Sequence, residues 1–210
     1  MILNRWNMIN IKYLEESSFE ECLKQGYFED KKIVNNPNSS LILDRVYFEN
    51  CYFENIDFTK FKVLDINVDN CVFKNCDFSN ILFDEKVIFR SSFITCKLQG
   101  TFFSSTKLED VEFNDINGRY INFSGCNLKK VNFSDCDFTE SRFMECDTQK
   151  LTLSNVNFNK AELIKMKLQN TDFSSSNIDN IITDIGSLKG IKVNAGQALS
   201  LSIVLGIEIV

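Results

Sequence analysis

Cysteine thiols and carboxylates are the side chains of this sequence that could carry out chemistry. The chain has eight cysteines and 29 aspartates and glutamates, but its 210 residues include no histidine. A Ser-His-Asp or Cys-His catalytic arrangement therefore cannot be assembled, and neither can a metal site that uses imidazole. Cys71 and Cys76 are not a Cys-x-x-Cys pair, and no glycine-rich loop is present to hold a phosphate. We predict that the protein is not an enzyme and uses no cofactor and no metal.

The spacing of the cysteines indicates a structural role. Seven of the eight occupy one phase of a five-residue period, and several of them are 20 residues apart. We interpret them as reduced thiols that serve as small core hydrophobes. The seven are Cys51, Cys71, Cys76, Cys96, Cys126, Cys136 and Cys146.

A second column of the same period stands two residues after each cysteine. Steps of five from Phe73 give 32 positions between residues 23 and 178, of which 29 are apolar. A period of five fits neither an amphipathic helix nor an alternating strand. Because one five-residue unit cannot bury its apolar pair alone, the units must stack, which predicts a solenoid. The predicted core phenylalanines are Phe48, Phe53, Phe58, Phe73, Phe78, Phe83, Phe93, Phe103, Phe113, Phe123, Phe133, Phe138, Phe143, Phe158 and Phe173.

These units resemble those of the pentapeptide-repeat proteins, whose consensus has a small residue, then Asp or Asn, then a central Phe or Leu. Cys76-Asp77-Phe78, Cys136-Asp137-Phe138 and Thr171-Asp172-Phe173 match it. The resemblance implies an all-β fold, a right-handed quadrilateral β-helix with four pentads in each coil. Residues 21–180 would then form about eight coils and a rod about 40 Å long. Cysteines one coil apart would have parallel side chains, with Cβ atoms about 4.8 Å apart, which is too far for a disulfide.

The period also divides the chain. Residues 1–20 lack it and are predicted to be an N-terminal cap, with Trp6, Tyr13 and Leu14 covering the end of the core. Residues 21–181 are the β-helix, whose first coil is irregular and ends in a loop over 35–40. Residues 182–210 are a C-terminal cap with a short helix over 195–205 and a strand after Gly206.

Two positions interrupt the inward columns. Gly118 leaves a gap among the central residues, where we expect the rod to bend or to change its cross-section. Lys86 stands at an inward position, and we expect its pentad to bulge so that the ammonium group reaches water, because an unpaired buried charge is costly.

The C-terminal segment resembles the same end of the Qnr-type quinolone-resistance proteins. The matching residues are Leu188-Lys189-Gly190-Ile191, Gln197-Ala198 and Leu205-Gly206-Ile207. The resemblance implies a homodimer formed through this end. It also implies binding to a type II topoisomerase, DNA gyrase or topoisomerase IV. The acidic rod would mimic DNA and so protect the topoisomerase from quinolones. The helix is more apolar than a cap requires, which favours a partner surface over a cap buried in a monomer. The predicted dimerisation residues are Leu199, Leu201, Ile203, Val204, Leu205, Ile207 and Ile209.

One departure from the Qnr pattern concerns loops. Qnr proteins of Gram-negative type have two loops that interrupt the coils. Here the five-residue phase is unbroken from Leu43 to Ile178, so neither loop is present as an insertion.

Acidic residues are the candidate partner-binding groups. The net charge of −6 argues against direct binding of nucleic acid through a basic surface. When the pentads of residues 41–180 are sorted onto four faces, the face that contains residues 51–55 is the most negative, at −4. Ordinary solubility is the alternative reading for any one of these carboxylates, and a dimeric scaffold for an unrelated protein is the alternative function. The predicted partner-binding residues are Glu54, Glu109, Asp110, Glu112, Asp115, Asp135, Asp137, Glu140, Glu145, Asp147 and Asp172.

The sequence also bears on location. The N-terminus has no apolar run of signal-peptide length, and nothing approaches a 20-residue membrane span. We therefore expect a cytoplasmic protein with no membrane partner.

Overall fold

Parallel ladders of short strands form the four sides of a rod in the computed structural model, which describes residues 9–208 and, at Leu205, the backbone alone. Paired residues are 20 apart from Phe28 and Phe48 to Asp172 and Lys192, so four pentads make one coil. The predicted four-sided β-helix of about eight coils is confirmed. Because the register is constant, no insertion lengthens a coil between these residues, and the predicted loop over 35–40 lies within a coil of ordinary length.

We number the faces by the pentads of one coil. Face 1 contains residues 51–55, face 2 contains 56–60, face 3 contains 61–65 and face 4 contains 66–70, and each continues in steps of 20. Faces 1 and 3 are therefore opposite sides of the rod. Face 1 is an eight-stranded sheet of Glu15–Glu16, Lys31–Ile33, Tyr52–Glu54, Val72–Lys74, Ser92–Ile94, Glu112–Asn114, Asn132–Ser134 and Thr152–Ser154.

The other faces are less uniform. Face 4 is a seven-stranded sheet of Phe28–Glu29, Val46–Glu49, Ile66–Asp69, Val87–Phe89, Lys107–Glu109, Asn127–Lys129 and Asp147–Gln149. Face 3 has a two-stranded sheet of Ile42–Leu43 and Lys62–Val63, and a three-stranded sheet of Arg142–Met144, Glu162–Ile164 and Ile182–Thr183. Single bridges continue from Leu82 through Phe102 and Asn122 to the three-stranded sheet at Arg142, and face 2 is a column of single bridges from Asp57 to Asn177.

The chain turns each corner through a residue with left-handed backbone geometry. In the described part of the chain, 24 residues other than glycine have a positive φ, and each is the last of its pentad. Asn, Asp and Gly adopt this geometry at the lowest cost, and they occupy many of these positions, such as Asn50, Asn70 and Asn75. In each pentad, therefore, the last residue forms a corner of the coil and the central residue lies in the core.

The inward columns form the core. The fifteen predicted core phenylalanines are each at most 3% exposed. Rings of neighbouring coils are stacked along face 1: the centroids of Phe53 and Phe73 are 5.0 Å apart, and those of Phe73 and Phe93 are 4.9 Å apart. This spacing is about the rise of one coil, so the stacking extends along the rod axis.

The cysteine column satisfies backbone groups inside the rod. All eight cysteines are free and buried. The thiol of Cys126 donates to the carbonyl of Phe103 at 2.8 Å, and that of Cys146 donates to the carbonyl of Phe123 at 3.1 Å. Thr101 does the same with its hydroxyl, 2.8 Å from the carbonyl oxygen of Phe78. The inward column of small residues therefore accepts a side chain that donates a hydrogen bond, such as a thiol or hydroxyl, and also accepts a small apolar side chain.

A helix closes the N-terminal end of the rod. Helix α1, Phe19–Gln25, begins with a capping box between Ser18 and Glu21. Its Phe19 and Cys22 are fully buried, and the ring of Phe19 lies 4.5 Å from that of Phe61. The prediction that Tyr13 covers the core was wrong, because its side chain is 84% exposed.

The other predictions for this end divide differently. Leu14 is half-buried, and Trp6 lies outside the described residues. The predicted cap boundary after residue 20 falls inside α1. The rest of the N-terminal region contains a 3₁₀ turn, Ile11–Tyr13.

The two irregular inward positions differ from expectation. At Gly118 the gap is filled, because the ring of Phe138 lies where a side chain would be: an added Cβ would be 2.6 Å from Cε1 of that ring. Lys86 does not escape to water. Its ammonium group pairs with Asp65 at 2.9 Å, and its side chain is 18% exposed. Because Asp65 compensates the ammonium charge, the pentad of Lys86 does not need the predicted bulge.

The C-terminal end is closed by two short helices, α2 (Ile185–Leu188) and α3 (Ala195–Ser202), followed by a 3₁₀ turn, Ile203–Leu205. Gln197 caps α3 and also donates to the carbonyls of Phe173 and Ser176 at 2.9 and 2.7 Å. The predicted strand does not form at residues 207 and 208, and Ile209 and Val210 lie outside the described residues. No helix in residues 9–208 is long and apolar enough to cross a membrane.

Candidate partner-binding surface

Five of the eleven predicted acidic residues are neutralised by a lysine one coil further along. Residues 20 apart are neighbours in a ladder, so opposite charges at that spacing meet. Glu54 pairs with Lys74 at 2.8 Å. The other such pairs are Glu109–Lys129 at 2.5 Å, Asp110–Lys130 at 3.0 Å, Glu145–Lys165 at 2.8 Å and Asp147–Lys167 at 2.9 Å. The lysine hydrogen bonds lower the pKa values of Glu54, Glu109 and Glu145.

Two more of the predicted residues face a cation at longer range. Asp137 lies 3.9 Å from Arg119, and Glu140 lies 4.0 Å from Lys160. Exposed pairs of this kind contribute little to stability. They do reduce the negative field that a partner would meet at these positions.

The remaining four carboxylates lie together on face 1. Among the residues that the structure describes, Glu112, Asp115, Asp135 and Asp172 have no lysine or arginine nitrogen within 4.0 Å. Asp135 accepts a hydrogen bond from the Asn155 amide at 2.7 Å. Their neighbours on this face are uncharged Ser, Asn and Thr side chains, including those at 132, 134, 152 and 154. Face 1 therefore has the largest net negative charge of the four faces, at −4.

Asp172 is stabilised as an anion by its neighbours. Hydrogen bonds from the hydroxyl and the backbone N–H of Ser174 lower its pKa, and the charge of Lys192 in the next coil adds to the effect. Lys192 also reduces the local field at this end of face 1. The strongest uncompensated charge is therefore that of Glu112, Asp115 and Asp135.

The ladder fixes the spacing of these charges. Asp115 and Asp135 occupy the same corner one coil apart, both with positive φ. Glu112 and Asp172 are in one column, three coils or about 14 Å apart. Four charges over that length are about one per 3.6 Å, whereas duplex DNA carries one per about 1.7 Å. Face 1 therefore offers about half of the charge density of DNA on a stiff, flat surface.

Two of the buried thiols, Cys136 and Cys146, are held in the protonated form. Burial raises the pKa values of Cys136 and Cys146 to about 12, so neither is a thiolate at neutral pH. In residues 9–208 no group of three or more Cys, Asp or Glu side chains is placed to hold a metal ion.

The predicted dimerisation residues have different environments. Leu199, Ile203 and Ile207 are 58%, 77% and 53% exposed. Leu201, at 8% exposure, belongs to the core of its own rod, and Val204 packs against that core. Nothing is described for the side chain of Leu205, and Ile209 lies outside the described residues. The apolar surface open to a partner is therefore that of Leu199, Ile203 and Ile207.

Sequence reasoning missed an aromatic groove where faces 2 and 3 meet. Phe102 and Tyr120 line one end of a cavity of about 470 Å³ and are 40% and 45% exposed. The five-residue period could have predicted this groove, because both aromatic residues stand at outward positions of their pentads. The side-chain pairs at a spacing of 20 were also readable once the coil length was assumed.

Comparison with known protein families agrees with the fold. A family model described as a pentapeptide repeat region matches residues 66–143, and a second, described as pentapeptide repeats in eight copies, matches residues 145–180. The chain belongs to the pentapeptide-repeat family. No match was found among curated proteins.

Several solved structures are similar to this pentapeptide-repeat protein. Full-length QnrB1, a plasmid-mediated fluoroquinolone resistance protein, is 18% identical over 83% of this chain and 100% of its own, with a TM-score of 0.40. HetL from the cyanobacterium Nostoc sp. strain PCC 7120, which is involved in the regulation of heterocyst differentiation, is 10% identical over 82% of this chain and 92% of its own, with a TM-score of 0.25. A thylakoid-lumen protein from Arabidopsis thaliana is 17% identical over 61% of this chain and 72% of its own, with a TM-score of 0.22.

Proposed function

We propose that this pentapeptide-repeat protein is a non-enzymatic, dimeric DNA mimic that binds a type II topoisomerase, DNA gyrase or topoisomerase IV, in the cytoplasm. The observation that carries the proposal is the group of uncompensated carboxylates on face 1, Glu112, Asp115, Asp135 and Asp172. A basic surface that normally holds DNA phosphates is the complement of such a face.

Two features of the rod support this proposal. The face is a continuous parallel sheet whose backbone is tied to the coils on either side, so the charges keep fixed positions when a partner approaches. The C-terminal residues Gln197 and Gly206, which carry the resemblance to Qnr-type proteins, form a helix cap and a helix stop here. The unbroken register lacks the two inserted loops of Gram-negative Qnr proteins, so binding is the primary activity we propose and protection from quinolones the secondary one.

A supercoiling assay tests the proposal. Purified protein is added to gyrase, with and without ciprofloxacin, and binding is measured at 50 and 200 mM salt. We expect inhibition of supercoiling or restoration of supercoiling in the presence of the drug, with association that weakens as salt rises. The absence of inhibition, rescue and low-salt binding together would exclude topoisomerase as the partner.

Charge variants separate face 1 from the rest of the rod. The triple variant Glu112→Gln, Asp115→Asn, Asp135→Asn should slow association about tenfold or more, because it removes three of the four uncompensated charges of face 1. The matched control is Glu145→Gln with Asp147→Asn, whose carboxylates already pair with Lys165 and Lys167. We expect a smaller effect from this control.

The second candidate function is a scaffold for an unrelated protein, favoured by the low charge density of face 1 relative to DNA. An affinity pull-down from cell extract distinguishes the two. Enrichment of a protein other than a topoisomerase subunit, lost in the face 1 triple variant, would support the scaffold.

A further inference from the structure

The exposed apolar side chains of the coils lie along one side of the rod. Between residues 42 and 185, eight large hydrophobic residues are exposed, and seven of them lie on face 3 or at its corner with face 2. Tyr47, on face 4, is the eighth. The seven are Ile42, Leu64, Leu82, Phe102, Tyr120, Ile182 and Ile185. Face 3 is opposite the acidic face 1, so this apolar line is a separate surface.

The line deepens into a groove at Phe102 and Tyr120. Its volume of about 470 Å³ is within the range of ligand sites. At the far end, the Arg142 guanidinium lies 3.3 Å from Glu162, and Lys160 lies 4.0 Å from Glu140. Those four charges offset one another, so the distinctive feature of the groove is its aromatic end.

Tyr120 occupies a backbone position that is unfavourable for it. Its φ is 61°, in the left-handed region that a bulky residue enters less readily than Gly or Asn. Gly100 holds the equivalent corner one coil earlier, where its φ of 65° costs nothing. The ring of Tyr120 is half exposed and lies 5.8 Å from the Arg119 guanidinium. The other corner residues share this left-handed geometry, so the distinctive feature of residue 120 is the exposed aromatic ring that it places at the groove.

Charge identifies what fits the aromatic end. The pentad one coil earlier contains the exposed Leu82 followed by Asp84 and Glu85, both exposed. Within residues 9–208 neither carboxylate has a lysine or arginine nitrogen within 4.0 Å. The approach to Phe102 is therefore apolar and negative, which complements a segment that combines a large apolar side chain with Lys or Arg.

Size and backbone geometry exclude a second rod as the occupant. The columns from Leu82 to Arg142 span three coils, about 14 Å, which is the length of four or five extended residues. A stable interface between folded proteins buries about 800 Å² on each partner, several times the area of a strip about 14 Å by 10 Å. Hydrogen bonds between coils, such as that of the Phe102 N–H to Ile81, occupy the backbone here, so a ligand is held by side chains.

We propose that this groove binds an extended segment of a partner protein, with an aromatic or aliphatic side chain against Phe102 and Tyr120 and a Lys or Arg side chain at Asp84 and Glu85. The site does not depend on the face 1 carboxylates. It gives the rod a second docking surface on the side opposite the proposed topoisomerase contact.

Peptide selection with the full-length protein tests the site. A phage library of random 12-residue peptides is selected on the protein, and an enriched peptide is synthesised with a fluorescent label. We expect enriched sequences to pair an aromatic or aliphatic residue with Lys or Arg, and the labelled peptide to bind by fluorescence anisotropy. Phe102→Ser and Tyr120→Asn should each weaken binding at least tenfold, and Asp84→Asn with Glu85→Gln should weaken it and reduce its dependence on salt.

Controls separate this site from the proposed function and from general loss of structure. Tyr47→Ser removes a 48% exposed aromatic ring from face 4 and should leave peptide binding unchanged. Tyr120→Asn places a residue suited to positive φ at the corner, so its folding is not at risk. The face 1 triple variant should bind the peptide normally. A selection without a common pattern, or a selected peptide that binds the Phe102 and Tyr120 variants as well as it binds the wild type, would overturn the proposal.

Discussion

The ring of Phe138 occupies the space directly beside the backbone of Gly118. A Cβ atom at residue 118 would lie 2.6 and 2.7 Å from two carbons of that ring, which is itself fully buried. We predict that Gly118→Ala destabilises the protein by about 1–3 kcal/mol, because the ring must move within a packed core. Urea unfolding followed by circular dichroism measures the change.

Two variants control for this interpretation. Gly196→Ala, in helix α3, meets no atom closer than 3.5 Å and should be neutral or stabilising. In Gly118→Ala combined with Phe138→Leu, the smaller side chain should relieve the clash and recover part of the loss. If the single variant is as stable as the wild type, the gap is not filled by Phe138.

Phe133 lies in the middle of the ring column. It is fully buried, and its ring centroid is 5.2 Å from Phe113 and 5.0 Å from Phe138. Phe133→Ala should cost about 3–5 kcal/mol, because the coils on either side are tied by backbone hydrogen bonds and cannot close the cavity. Phe102→Ala, which removes a 40% exposed ring, is the control and should cost far less. A loss below about 1 kcal/mol at Phe133 would contradict the packing described here.

The periodic part of the fold could be predicted from sequence because one local rule repeats. Each pentad must place its central residue inward and turn a corner at its last residue, so the phase of Phe73 specifies that of Phe133 twelve pentads later. The ends do not obey the rule. Phe19 and Cys22 are spaced as one face of a helix, and their role depends on contact with Phe61, which the phase does not encode.

The charged surface was harder to predict than the core. Glu145 and Asp147 counted as acidic residues in the sequence, but their partners one coil later, Lys165 and Lys167, neutralise them. Sorting the residues by face gave the net charge of each face, but it did not show which carboxylates pair with a lysine 20 residues later. The groove at Tyr120 depends on the side-chain directions of neighbouring coils, which the composition of a face does not specify.

Two positions in the inward column of small residues differ in hydrogen bonding. The hydroxyl of Ser141 is buried and, within the described residues, has no hydrogen-bond partner, whereas that of Thr101 donates to the Phe78 carbonyl at 2.8 Å. A buried hydroxyl without a partner costs about 1–3 kcal/mol. Ser141→Ala should therefore be neutral or stabilising, while Thr101→Val, which loses a hydrogen bond, should be destabilising by about 1 kcal/mol. Equal losses in thermal unfolding of the two variants would contradict this assignment.

Alkaline pH should unfold the rod through its thiols. Burial raises the pKa values of Cys136 and Cys146 from the ordinary value of 9.0 to about 12. Between these values the unfolded chain loses thiol protons that the folded chain keeps, so the free energy of unfolding falls as pH rises from about 9 toward 12. Urea titrations at pH 7.5, 9 and 10.5 measure this slope.

The thiol contribution can be isolated by substitution. The variant with Cys136→Ala and Cys146→Ala should be less stable than the wild type at pH 7.5, because it leaves cavities. Its stability should fall less between pH 9 and 10.5, because two of the titrating groups are gone. If the slope is unchanged, exposed lysines and tyrosines, and not the buried thiols, set the alkaline limit.

The exposed C-terminal residues provide the test of the proposed dimer. Leu199, Ile203 and Ile207 are more than half exposed, whereas Leu201 and Val204 pack on their own rod. Truncation before Ala195 would also remove Gln197 and Leu201, so a loss of dimer in that variant could follow from damage to the rod.

Point substitutions avoid this ambiguity. Ile203→Glu with Leu199→Glu should yield monomers of unchanged melting temperature by light scattering, because charges are then placed at the apolar interface. The matched control is Ile185→Glu, which is 64% exposed on face 3 and should remain a dimer. A dimer that survives the double substitution, or a wild-type protein that is monomeric at micromolar concentration, would show that this end is not the interface.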